Sequence, residues 1–374
     1  MSNRMVLSVG GQPVSRTPQP ADELLFGSVD GVVVLRRQDS KWDVERRALE
    51  GLHVSSLAMD PRSGAIFAGT HNGGVHVSRD DGRTWQRCDQ GFLDEQVYSV
   101  GVAEANGEVR VYAGTEPAAL YVSTDLGQTW TELPGIRNLP GKEQWTFPAP
   151  PHIAHVKHIT FDPRSADVVY VSIEQGALAK SADGGKTWRI IFNEPATDVH
   201  RVSVPPTRPD WVYMTRGDFT IGKEGIYLTK DDGQTWDRLT DRSLGIGYPD
   251  ATVLHPDDAN LIIYAGGIAS PREWGQRGNA STQVARTRDG GKSWEILPSV
   301  PPKGTRGNIE AMAMNVWPDG FAVFAGSTDG DIFRTEDAGD SWTTIATGLP
   351  AISKAGHWRQ FLRAPGEPVG AGAH

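Results

Sequence analysis

The chain has 374 residues, with 37 Lys plus Arg against 46 Asp plus Glu and a formal net charge of −9. That balance argues against a nucleic-acid backbone or an anionic membrane surface as the main partner, and the single cysteine, Cys88, excludes an internal disulfide framework and a cysteine-rich zinc site. No apolar run is long enough to cross a membrane and residues 1–20 carry no apolar leader, so a cytoplasmic protein is expected; 43 glycines and 25 prolines point to many turns between short strands.

In chain order, residues 1–21 read as a flexible tail. Leu24-Leu-Phe-Gly-Ser-Val29 then opens a strand pattern that ends near Trp42. From residue 53 onward a unit recurs. Its first part is an inner strand, as in Ser55–Pro61, Lys157–Pro163 and Glu310–Met314. Its second part is a β-branched and aromatic strand: Ile66–His71, Val111–Glu116, Val169–Glu174, Val212–Gly217, Ile263–Ile268 and Val323–Thr328. Its third part is an octamer of the form Ser/Thr-x-Asp-x-Gly-x-Thr/Ser-Trp, at Ser78–Trp85, Ser123–Trp130, Ser181–Trp188, Thr229–Trp236, Thr287–Trp294 and Thr335–Trp342. The octamer aspartates are 45, 58, 48, 58 and 48 residues apart. That is the period of a four-stranded blade, and an array of blades is a β-propeller.

Each octamer has the chemistry of a tight hairpin. The aspartate accepts hydrogen bonds from the turn backbone, the glycine supplies a positive φ, and the tryptophan buries its ring at the start of the next strand. Gly-Gly-Lys-Thr (184–187) and Gly-Gly-Lys-Ser (290–293) lack the upstream glycine of a phosphate-binding loop, so no nucleotide is expected. The predicted fold is all-β: a single seven-bladed β-propeller over residues 22–363 with six octamer turns. Its last blade is closed by N- and C-terminal strands, three from residues 22–46 and one from 352–363. Residues 364–374 form a second flexible tail.

The octamers resemble the Asp-box, or BNR, repeat of sialidases, xyloglucanase-type glycosidases, sortilin-type receptors and photosystem II assembly propellers. The resemblance implies that the Asp-box turns face away from the ligand site. The opposite, top face then carries the long connections 133–152, 216–225, 240–248 and 267–283. Function does not follow from that fold. A sialidase-like glycosidase is the weakest reading, because Val34-Leu-Arg-Arg-Gln38 stands where the resemblance implies an Arg-Ile-Pro element. Xyloglucanase-type enzymes use two propellers, and this length holds one. Sortilin-type receptors carry a disulfide-rich module, and assembly propellers are exported.

Aligning the inner strands puts His53, Tyr98, His155, Lys157, His200, Arg201, Asp250, Glu310 and Arg359 at or near the channel mouth. The ends of the second strands add His71, Glu116, Glu174 and Arg216. A wet channel also carries polar residues that are merely solvated. The functional reading gives His53, His71, His155, His200, Glu116 and Glu174 to one divalent metal ion, and Tyr98, Lys157 and Glu310 to acid–base catalysis. Arg201, Arg216, Arg359, Asp250 and Trp274 would bind an anionic or sugar-like substrate. A hydrolase or lyase acting on a small polar or carbohydrate-like ligand is expected, with a non-catalytic scaffold that binds a ligand or protein partner as the alternative.

Overall fold

The computed structural model describes residues 3–105, 107–194, 197–218, 222–297, 305–357 and 359. Their strands form seven four-stranded blades in a ring, two of them merged into one eight-stranded sheet and one carrying an extra fifth strand. Six have the inner strands His53–Met59, Gln96–Ala105, His155–Asp162, Thr197–Ser203, Tyr248–Leu254 and Ile309–Trp317, and are called here blades one to six. The closing blade is built from Arg4–Leu7, Glu23–Ser28, Gly31–Gln38 and Lys41–Ala48. Blades three and four are joined by a single backbone pairing, Glu174 with Asp198.

Each second strand is sandwiched between neighbouring sheets, which is why it reads as an unbroken apolar run rather than an alternation. A small residue inside it lets the next blade approach. A Cβ on Gly69 would lie 2.9 Å from Val97 Cγ1, and one on Gly114 would lie 2.2 Å from Val156 Cγ1. The octamers form the hairpins their composition requires. Asp80 Oδ1 accepts from the Thr84 amide at 2.8 Å and Oδ2 from the Thr84 hydroxyl at 2.6 Å. The Ser78 hydroxyl caps the Gly82 amide at 2.8 Å. The same bonds recur at Asp125, Asp183, Asp231, Asp289 and Asp337. Among the described residues no helix is long and apolar enough to cross a membrane.

The ring closes differently from the sequence expectation. Residues 1–21 are not a tail over their described length. Arg4–Leu7 is the inner strand of the closing blade and runs parallel to Glu23–Phe26. Its arginine is buried against Glu23 and Asp81, and Arg36 also reaches Glu23. The chain then crosses the central channel. Arg201 Nη2 donates to Val9 O (2.5 Å), the Gly10 amide to Ser55 O (2.9 Å), the Gln12 amide to Leu57 O (3.0 Å) and the Met314 amide to Pro13 O (2.8 Å). Those partners belong to blades four, one, one and six, so residues 9–13 plug the channel. Val14–Arg16 then leaves alongside Met314–Val316 as an extra parallel strand. A parallel inner strand needs such a return path, and its small residues permit it: a Cβ on Gly10 would stand 2.4 Å from Tyr98 O.

The C-terminal segment is not the closing strand. Val29 N donates to Ala351 O (2.9 Å) and Ile352 N to Ser327 O (3.0 Å), after which residues 353–357 turn irregularly into the channel mouth. The rest of the expected 352–363 strand and the 364–374 tail lie outside the described residues, apart from Arg359.

Candidate functional site

Above the N-terminal plug the inner strands of blades three to six deliver a dense set of ionisable side chains to one hub. Lys157, Asp198, His200, Asp250 and Glu310 come from the strands themselves, and Glu174 from the end of a second strand; all are buried. A seventh group arrives from the C-terminal segment. Lys354, 2% exposed, places its ammonium 3.0 Å from Glu174 Oε1 and 2.9 Å from Asp250 Oδ1. It also lies 3.2 Å from His200 Nε2 and 4.8 Å from the centre of the Tyr248 ring. On the other oxygen of Glu174, Lys157 Nζ stands at 3.0 Å and His155 Nε2 at 3.3 Å.

Burial decides the electrostatics. It works against every charge here, so each charged group must find partners. Burial lowers the Lys157 amine; Glu174 opposes that shift and Lys354 reinforces it. Burial also works against the Lys354 ammonium, but Asp250 and Glu174 hold it charged well above the ordinary lysine range. Burial would neutralise His200, yet Asp198, at 3.1 Å from Nε2, together with Asp250 and Glu174 lifts it to about 9. Its Nδ1 faces Pro249 O at 2.5 Å, so a doubly protonated ring has an acceptor on each side. The two lysines thus share one cage while their proton affinities are driven apart.

A second wall is made of rings. His53, His71, Tyr98 and His155 stack in succession with centroids 4.1, 4.1 and 3.8 Å apart. His53 Nε2 bonds Ser353 O at 2.7 Å. Burial, followed by the neighbouring His53, holds His71 neutral well below the ordinary histidine range. Burial and the Glu116 carboxylate raise Tyr98, so its hydroxyl keeps its proton.

The six expected metal ligands therefore do not gather at one point. His53 and His71 belong to the ring stack, and His155 bridges Glu116 (3.5 Å) and Glu174. The ligand atoms that do lie within 4.8 Å of one another, among the described residues, are those of Glu174, Asp198 and His200, and those of Asp250, Glu310 and His357. The Lys354 ammonium stands between the two sets, on atoms either would use. The expected substrate arginines do not gather either. Arg201 points down to the plug, Arg216 is buried against Glu194 and the Phe192 ring, and Arg359 is exposed at the rim. Trp274 is no exposed platform. It is completely buried on the helix Pro271–Arg277, donates to Ala269 O and packs edge-on against Tyr248 and His357. Glu310 is engaged with the C-terminal segment, accepting from the Ser353 hydroxyl, the Lys354 amide and His357.

No family model matches the chain. A curated xyloglucanase from Paenibacillus sp is 23% identical over 234 residues, which is 53% of this chain and 22% of the relative. Among solved structures, the GH74 xyloglucanase from Xanthomonas campestris superposes with a TM-score of 0.65 at 18% identity, over 92% of this chain and 55% of that one. YCF48 bound to D1 peptide superposes with a TM-score of 0.57 at 15% identity, over 88% and 94%. These likenesses show a β-propeller fold. The chain spans 11% and 22% of the length of the curated relatives it matches, so what is shared is the fold.

Aligning the inner strands places Lys157, Asp198, His200, Tyr248, Asp250, Glu310 and His357 together at the channel mouth but assigns no role to Asp198, Tyr248 or His357. Lys354 it misses altogether, because nothing local marks a lysine in Ala351-Ile-Ser-Lys-Ala355 as bound for the hub. Its only trace is a lone charge in an otherwise small and apolar run.

Proposed function

We propose that the protein is a hydrolase or lyase of small, polar, sugar-like molecules, acting at the top of the hub by proton transfer. One observation carries this reading: Lys157 and His200, their proton affinities shifted in opposite directions, meet the same Glu174 carboxylate in a buried centre. Burying four carboxylates with two lysines costs several kcal/mol per ion before pairing, a burden that a purely structural hub avoids with apolar residues. Pairs of groups whose environments separate their proton affinities are the signature of an acid and a base in one site.

In this scheme Lys157 takes a proton from the substrate or from water. His200, charged at neutral pH, gives one to the leaving oxygen. Tyr98 donates a hydrogen bond without losing its proton. Asp198, Asp250 and Glu174 hold the charges in place. The hydrolase activity named for the GH74 relatives is consistent with this assignment. The test is untargeted. Wild type, Lys157→Met and His200→Gln are each incubated with a polar small-molecule extract and the products followed by mass spectrometry. A compound consumed by the wild type and at least about 100-fold more slowly by both variants is expected. Consumption that all three proteins share, or none by any, overturns the catalytic reading.

The second reading is a binding propeller without chemistry. It is favoured by the closure of the hub, below by residues 9–13 and above by Ser353–His357. A propeller of this fold, YCF48, is recorded with a bound peptide.

A further inference from the structure

Lys354 is held as a ligand is held. Among the described hub residues, Lys354 and His357 belong to no blade: the strands deliver the others, whereas these two enter from above on an irregular turn. The Lys354 ammonium has carboxylate oxygens at 2.9 and 3.0 Å and an aromatic face at 4.8 Å. Two acceptors and a ring face are the standard means of recognising an alkylammonium. The acceptors are themselves fixed in place. Asn308 Nδ2 donates to Asp250 Oδ2 at 3.2 Å, and Asn308 is in turn held by Thr282 at 3.2 Å. The slot is therefore built by the blades. Asp198 Oδ1, fully buried beside it, has no hydrogen-bond partner among the described residues.

We infer that the hub is a recognition site for a primary alkylammonium group, that Lys354 is its built-in occupant, and that the propeller's ligand is an amine-bearing polar molecule that takes the same slot when Ser353–His357 withdraws. The inference rests on the hub being the working site and names the class of molecule it takes.

The geometry favours an amine over a divalent ion. The Lys354 ammonium meets its two carboxylate oxygens at 2.9–3.0 Å, ordinary N–H···O distances, so the slot as built fits an amine. Lys157 Nζ is 3.0 Å from the other oxygen of Glu174, so a dication would have to share that carboxylate with an amine already bonded to it. Tyr248 offers a ring face, which suits an ammonium and coordinates no metal.

The segment is placed to leave. Ile352 is its last aliphatic anchor, buried against Gly326, and His357 packs edge-on against the Trp274 and Tyr248 rings. Beyond Ile352, the described polar contacts to the blades run through His53, Glu310 and the ammonium itself. The remainder are internal, Ser353 Oγ to Ala355 O and Arg359 N to Gly356 O.

The test is chemical rescue. Lys354→Ala removes the side chain from the slot, and n-propylammonium matches what was removed. A rise in Tm of about 2–3 °C is expected once the amine exceeds its Kd tenfold, growing with the logarithm of its concentration. Equal concentrations of sodium and tetramethylammonium should produce no such rise. Lys354→Met fills the slot with an uncharged chain and should not respond. If Lys354→Ala does not fold alone, refolding yield with propylammonium against propanol gives the same comparison. A response no larger than that to sodium, or an equal response in Lys354→Met, overturns the inference. Stabilisation of Lys354→Ala by magnesium, calcium or zinc but not by the amine also overturns it and makes the slot a metal site. Rescue reads binding alone, so a rescued protein that consumes nothing leaves this inference standing and removes the catalytic reading.

Discussion

Lys157 and Lys354 hold opposite oxygens of the same Glu174 carboxylate, each at 3.0 Å. One lysine is carried by the inner strand of blade three and the other by the C-terminal segment, so this carboxylate ties the end of the chain to the hub. Glu174→Gln removes the shared anion and leaves two amines and two imidazoles facing an amide. Breaking a buried pair in this way is expected to lower stability by about 3–5 kcal/mol, measured by urea denaturation. A loss below about 1 kcal/mol would mean that water reaches the cage.

His200 sets an alkaline limit. Its folded-state value is raised to about 9, above the ordinary histidine value near 6.5, by Asp198, Asp250 and Glu174 against the effects of burial and of Lys354. A raised group contributes stability that is complete below pH 6.5 and is lost as pH rises through about 9. Unfolding free energy should fall across that window in the wild type and stay flatter in His200→Gln. The neutral His71 and His158 are lowered well below 6.5 and change charge only on the acid side, so they do not mask the effect.

The octamer turns set an acid limit. Hydrogen bonds from the following Thr or Ser hold Asp80, Asp125, Asp183, Asp231 and Asp337 at about 2, against 3.8 for an ordinary aspartate. A lowered group contributes stability that is present above 3.8 and lost as pH falls through the folded value. Circular dichroism should therefore show cooperative acid unfolding between about pH 4 and pH 2. Replacing two of these aspartates by asparagine should shrink the proton uptake that accompanies it.

Gly10 reports on the channel plug. An added Cβ would sit 2.4 Å from Tyr98 O and 3.2 Å from Lys157 O, both backbone atoms that cannot swing away. Gly10→Ala is expected to cost about 1–3 kcal/mol by overpacking, seen as a lower denaturation midpoint. A neutral substitution would place residues 9–13 outside the channel.

What the sequence reveals and what it hides divide by range. The octamers are legible because a Ser, an Asp, a Gly and a Thr within eight residues carry their whole hydrogen-bond set. The second strands are legible because burial on both faces leaves an unbroken apolar run. The closing strand is not: Met5-Val-Leu7 is too short to stand out, and its partner Leu24–Phe26 lies in parallel, an arrangement no hairpin signal announces. The hub is half legible. Residues that open an inner strand fall into register once the blades are aligned, which brings His200, Lys157 and Asp250 together. Alignment gives position but not direction, so Arg201, one residue from His200, turns to the plug instead. Lys354 joins the cage through contacts 104 to 180 residues away in sequence.

The central claim is that one buried cage drives two lysines apart in proton affinity. Lysine labelled with ¹³C at Cε, followed by NMR from pH 6 to 12 and assigned with Lys157→Met and Lys354→Met, tests it directly. The account requires one resonance titrating below the ordinary lysine value of about 10.4, lost in Lys157→Met, and another still protonated where surface lysines have titrated, lost in Lys354→Met. Both resonances titrating with the surface lysines would contradict it.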